Sequence, residues 1–360
     1  MYEDIIFAKA LKLQYTDDIN EATEIARSYC VTPSLFYLRD IRINVDGTIT
    51  SGGKTSKITE HGFEKLLKVL GIPARYARTI PRDLLFTTML RLQQDMQGEE
   101  IAILTRDNGD IAAIIKAPYD ELAYLDVLSG FAEKENVNYF ALSEERLVIS
   151  LSFPEVSISG VDTYGSNVTN NDILYPSIFV YNSILKDVGL SVVGGIFGTS
   201  KQHSFIMPYI GKARAPYQIT SHEQRLLRFL ENTWCIDSSF TNILTQKFNS
   251  VLNNYKLLDS EFIKFWQGTS RVVGSFNADA IFKIEEEDRK NLASFVKDRN
   301  AHNKRAKVLH EDLEPSLSTS SYAYDVINGV AAFAKTLSNI SDSLLLEKLS
   351  GSMIQSLVLN

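Results

Sequence analysis

The chain has 360 residues, 44% hydrophobic and 22% charged, an ordinary globular composition with apolar material for a sizeable core. Its formal net charge of −7 counts against indiscriminate nucleic-acid binding, because proteins that neutralise phosphates are usually basic, yet it leaves room for a local basic groove. The two cysteines, Cys30 and Cys235, form no C-x-x-C pair, which excludes a cysteine-built zinc site and suits a reducing compartment.

The opening Met-Tyr-Glu-Asp lacks a basic region followed by an apolar run, so no secretory leader is expected. No stretch approaches the roughly 20 apolar residues that span a bilayer. The expectation is a cytoplasmic protein with no membrane partner.

Residues 1–35 read as a helical segment, with helical spacing over Asp17–Ile25 and a stop at Thr32-Pro33. Alternation over Leu35–Thr50 with Asp46-Gly47 predicts a hairpin. Phe63, Leu66, Leu67 and Leu70 predict a helix over His61–Leu70, capped by Gly71 and followed by Pro73. Pro81-Arg82-Asp83 opens another helix to about Gln93. A second hairpin runs Ile101–Lys116 around Asn108-Gly109. A helix near Leu122–Lys134 leads to a third hairpin, Tyr139–Ser150, turning at Glu144-Glu145.

Residues 155–175, rich in Ser, Gly, Asn and Asp, read as a loop. Pro176–Tyr181, Leu190–Phe197 and Ser204–Met207 read as strands. Helical periodicity follows at Ser221–Glu231, Phe240–Leu258, Glu261–Trp266, Glu285–Lys307 and Ala323–Leu359, the last broken near Asn339–Ser343. The predicted class is α+β: an antiparallel sheet of hairpins with packed helices, followed by a helical C-terminal region. The expected division is an N-terminal helical segment over 1–35, an α+β core domain over 36–230 and a helical region over 231–360.

No catalytic, cofactor or metal constellation emerges. Gly194–Lys201 resembles a phosphate-binding loop, but Ser200 rather than glycine precedes Lys201, and a glycine-rich strand end fits better. His61, His203, His222, His302 and His310 form no H-E-x-x-H pair. Ser51–Lys54 satisfies a bare S-x-x-K without the partner motifs of serine acylases, and G-x-S-x-G does not occur. Glu285–Asp288 suits a charged helix start.

Charge distribution is more informative. Lys54–Leu92 carries eight basic against three acidic residues, and Lys201–Arg228 five against one. Phe63, Tyr76 and Phe86 interleave the first, and Phe205, Tyr209 and Tyr217 the second. Positive charge between stacking surfaces is the composition of a single-strand groove. The competing reading pairs these arginines with acids elsewhere and places the aromatics in the core. Glu285–Glu314 has seven basic against eight acidic residues and reads as a solvated, salt-bridged helix or a subunit contact.

Three segments carry a resemblance: Gly71–Tyr76 with Ile80-Pro81 and Leu84; Leu104–Arg106, Asn108-Gly109 and Ala112 through Pro118-Tyr119 and Leu125; and Pro176–Ser183, Gly189 and Gly194–Gly198. In order and spacing, about residues 60–230 resemble a phage- and plasmid-related protein family of unknown function. Where that family often has Cys-Asn-Gly after the third segment, this chain has Gly198-Thr199-Ser200. The resemblance implies phage or mobile-element origin, with a looser analogy to single-strand annealing proteins.

The leading expectation is a phage-encoded, non-catalytic protein that binds or anneals single strands of DNA or RNA as a homo-oligomer, without a cofactor. Arg75, Arg78, Arg82, Lys201, Lys212 and Arg214 would hold phosphates. Tyr76 and Tyr209 would stack bases, and His203 lies beside Lys201. The alternatives are a structural or host-interaction protein acting through the acidic helical C-terminal region, and a metal-dependent nuclease.

Overall fold

The computed structural model describes residues 5–119, 123–132, 136–152, 158–161, 172–187, 189–198, 203–207, 255, 257–284 and 323–358. The protein is α+β with antiparallel sheets and a helical C-terminal region. Its strands are β1 (Gln14–Thr16), β2 (Val31–Tyr37), β3 (Ile41–Ile43), β4 (Ile49–Ser51), β5 (Lys54–Ser56), β6 (Glu100–Arg106), β7 (Ile111–Lys116), β8 (Val137–Leu142), β9 (Leu147–Ser152), β10 (Ile158–Val161), β11 (Asp172–Asn182), β12 (Ser191–Gly198) and β13 (His203–Met207). Its α-helices are α1 (Ile19–Ser28), α2 (Glu60–Val69), α3 (Ala74–Ala77), α4 (Arg82–Asp95), α5 (Tyr124–Ser129), α6 (Asp259–Val273), α7 (Ser275–Ile281), α8 (Ala323–Ala334) and α9 (Ile340–Val358).

The strand orders are β2-β6-β7, β3-β4-β5 and β1-β8-β9-β11-β12-β13, with β10 beside β11 in the last sheet. Two compact units divide the chain. The first takes Met1–Ile149, Val180–Ser191 and Tyr217–Asn232; the second takes Ser150–Phe179, Val192–Pro216 and Thr233–Asn360.

In the first unit α2 packs on β7, and Phe63, Leu66 and Leu67 lie buried with Leu38, Ile58 and Phe86. Thr59 caps α2: its hydroxyl accepts the Gly62 N–H at 2.9 Å and donates to the Ala112 carbonyl at 2.9 Å, tying the helix start to β7. At the other end Gly71 takes φ 72°. Its N–H reaches the Lys68 carbonyl and the Ile72 N–H the Leu67 carbonyl, a Schellman stop at the predicted glycine.

The hairpins form around the predicted turns, with one difference. Asn108-Gly109 joins β6 to β7, and Asp46-Gly47 lies in the connection from β3 to β4. The strand ahead of β3 leaves that hairpin. The chain turns at a 3-10 segment, Leu38–Asp40, where the buried Gln93 amide donates to the carbonyls of Leu38 and Ile41 at 2.6 and 2.7 Å. β2 then pairs with β6, and Thr32-Pro33, expected to stop a helix, lies inside this strand. Leu38 donates to the Glu99 carbonyl, which sets the ladder alternation. Pro33, opposite Leu104, therefore takes a non-hydrogen-bonded position whose imide nitrogen faces away from β6, where a missing N–H costs the ladder nothing.

In the second unit, helices and strands share a core. Leu174, Ile196 and Phe205 of β11–β13 cluster with Phe262, Trp266 and Ile327 of the C-terminal helices. α9 lies against β13 so closely that a Cβ on Gly351 would overlap the Ile206 carbonyl. The last helical stretch breaks between Ala334 and Ile340, just ahead of the expected Asn339–Ser343, whose last four residues open α9. The stretch read as a loop over 155–175 contains β10 and the start of β11.

Candidate functional site

α2 carries two faces. Phe63, Leu66, Leu67 and Leu70 point into the core, while His61, Glu64, Lys65 and Lys68, at i, i+3, i+4 and i+7, line an open cleft of about 460 Å³. The Gly71–Ala74 connection and Asp187, from the turn after β11, complete the lining.

A charged chain forms part of the cleft's lining. His61 Nε2 is 2.8 Å from Asp187 Oδ2, and its Nδ1 is 3.9 Å from Glu145 Oε1. Lys65 Nζ pairs with the other Asp187 oxygen. Burial alone would lower the pKa of His61, but the Asp187 hydrogen bond and the charges of Asp187 and Glu145 outweigh it, and the net shift is upward. Burial likewise pushes Asp187 up, and His61 and Lys65 more than reverse this, so its carboxyl is held below the usual aspartate range.

The turn bearing Asp187 is anchored from several directions. Ser183 Oγ donates to the Glu145 carbonyl at 2.6 Å and accepts the N–H groups of Leu185 and Asp187 at 3.3 and 3.1 Å. Tyr119 OH donates to the Ile184 carbonyl at 3.0 Å, and Lys186 Nζ to the Pro118 carbonyl at 2.5 Å. With a carboxylate facing each ring nitrogen, His61 is arranged to hold a second proton more firmly than a free histidine does. Among the described residues no group of three or more His, Cys, Asp or Glu side chains is placed to hold a metal ion.

The sequence candidates disperse. Arg75 and Tyr76 are exposed on α3, the tyrosine 48% accessible, and Arg78 is that helix's C-cap. Arg78 pairs with Glu64 and stands 4.0 Å from Glu60. Arg82 opens α4, donates from Nε to the Val45 carbonyl at 2.9 Å, and lies 5.9 Å over the Phe86 ring. Phe63 and Phe86 are buried core residues, as is Phe205, so of the described interleaving aromatics Tyr76 alone offers a ring to a ligand. His203 is placed by its backbone in β13 opposite Gly198. Lys201, Tyr209, Lys212, Arg214 and Tyr217 lie outside the described residues. The glycine-rich Gly194–Gly198 is strand, and Gly195 is required because a Cβ there would overlap the Phe205 carbonyl.

Nothing among family models, curated proteins or solved structures matches this chain.

The His61 chain escaped sequence reasoning because Asp187 lies 126 residues from His61. Its one local signal is the polar stripe of α2, which reads as an ordinary solvated face.

Proposed function

We propose that the protein is a non-catalytic nucleic-acid-binding protein of phage origin that holds single strands against α3 and its flanks. The observation that carries this reading is Tyr76, an exposed ring beside the exposed Arg75 on a four-residue helix. Lys68, also exposed, lines the cleft on the other side of the Gly71 turn. No ion pair with a described residue engages Arg75 or Lys68. An aromatic platform next to uncommitted cations is how sequence-tolerant single-strand binders combine stacking with phosphate neutralisation.

The test is titration of labelled single-stranded DNA and RNA at several salt concentrations. Affinity falls with salt, by a log–log slope of about 0.7 per neutralised phosphate. Tyr76→Ala weakens binding by about 1–3 kcal/mol at unchanged slope. Arg75→Ala reduces the slope by about 0.7. Absence of binding at low salt overturns the reading. Particle mass with and without the strand reports how many copies assemble.

A further inference from the structure

We propose that the His61 imidazolium is a pH-released clamp that holds the Ser183–Asp187 turn, and with it one wall of the cleft, against α2. The geometry is that of a bridge between two anions on separate segments. Asp187 belongs to the turn after β11, at 2.8 Å from Nε2, and Glu145 to the β8–β9 turn, at 3.9 Å from Nδ1. Only the doubly protonated ring offers an N–H to each side. Once neutral, it leaves one carboxylate facing a bare ring nitrogen in a half-buried site, where desolvation magnifies the mismatch.

Every packed element contributes charge around this ring. On α2 itself, Lys65 opposes the proton but is bound to Asp187, Glu64 is bound to Arg78, and Lys68 lines the cleft. On the β8–β9 turn, Glu144 beside Glu145 is paired with Arg106, and Arg146 follows. On the clamped turn, Lys186 is directed to the Pro118 carbonyl. Asp187 and Glu145 are the carboxylates that face the two ring nitrogens, at 2.8 and 3.9 Å, and Glu144 also feels the charge of the ring.

The clamp's pH window follows from the two shifts. His61 is raised, so its contribution is whole below the ordinary histidine value of 6.5 and is lost as pH rises through the raised one. Asp187 is lowered, so its contribution is whole above the ordinary 3.8 and is lost as pH falls through the lowered one. The His61 bridge is whole on the acid-to-neutral side and lost on the alkaline side, where the turn keeps the Lys65–Asp187 pair and the hydrogen bonds of Ser183, Tyr119 and Lys186. That loss removes one positive charge from the cleft. The device is independent of the nucleic-acid reading, and its test contains no nucleic acid.

The experiment is an NMR pH titration of the full chain, following the His61 ring and the amides of Leu185 and Asp187. Expected are a His61 midpoint above 6.5 and amide shifts with that same midpoint. In Asp187→Asn the ring midpoint falls to 6.5 or below, since burial then acts without its main compensation. In His61→Gln the amide transition disappears, and this variant carries the test if the first does not fold. A wild-type midpoint at or below 6.5, amides silent across it, or an amide transition persisting in His61→Gln overturns the clamp.

Discussion

Arg106 places one guanidinium nitrogen on the Glu144 carboxylate and another 2.8 Å from the Lys9 carbonyl, with both charged side chains under a tenth exposed. Burial raises the Glu144 pKa, and the arginine opposes that rise. A pair this enclosed gives little net stability, yet removing one member strands the other. Arg106→Met is therefore expected to cost about 3–5 kcal/mol in denaturant unfolding. The double variant Arg106→Met/Glu144→Leu should recover most of that loss. A single variant within 1 kcal/mol of the parent on the order-of-magnitude scale for buried pairs would contradict this account. Neither partner was legible beforehand as one of a pair. Arg106 read as part of a strand end and Glu144 as part of a hairpin turn, because nothing in one sequence measures distance between positions 38 apart. The residues picked out for charge and aromaticity fared unevenly for the same reason. Tyr76 and Phe86 look alike in a local count, and only packing separates an exposed ring from a core one.

Elements were far more readable, since their causes are local. The Thr59 cap, the apolar stripe of α2 and the Gly71 stop all lie within thirteen residues, and the helix forms where the stripe and the stop place it. Asn108-Gly109 gives a hairpin for an equally local reason, the positive φ of 86° that glycine tolerates. The first hairpin was only partly legible, because the turn at Leu38–Asp40 depends on Gln93 from α4, more than fifty residues away. Close approach between elements is invisible in sequence for the same reason, and two helical glycines mark it. Gly62 lies against the Ala112 carbonyl of β7, and Gly351 against the Ile206 carbonyl of β13. Alanine in a helix ordinarily gains about 1 kcal/mol over glycine. Here the added methyl meets backbone, so Gly62→Ala and Gly351→Ala should each instead destabilise by about 1–3 kcal/mol. Gly189→Ala, with open space around it, should be near neutral. Thermal unfolding of the three variants checks the contrast.

At the scale of the molecule, each unit draws on separated stretches of chain. The C-terminal helices complete a core begun by β11, β12 and β13. A chain ending at Asn232 would leave Leu174, Ile196 and Phe205 without the side chains that cover them. It should bind hydrophobic dyes and aggregate, as read by dye fluorescence and light scattering. A monodisperse 1–232 fragment with a cooperative transition would show that those strands need no cover. The helical character of the described part of this region was legible from periodicity; its membership in one core with strands much earlier in the chain was not, because that sharing is settled in three dimensions.

Pro33 has a consequence for crowded conditions. β2 ends its sheet among the described strands and carries Leu35 at 61% and Tyr37 at 41% exposure, a combination that invites another chain to dock edge to edge. The ring nitrogen of Pro33 interrupts the outward row of donors near its middle. An incoming strand would meet a gap where it needs a hydrogen bond, so the exposed edge is a poor template for self-propagating β assembly at high protein concentration.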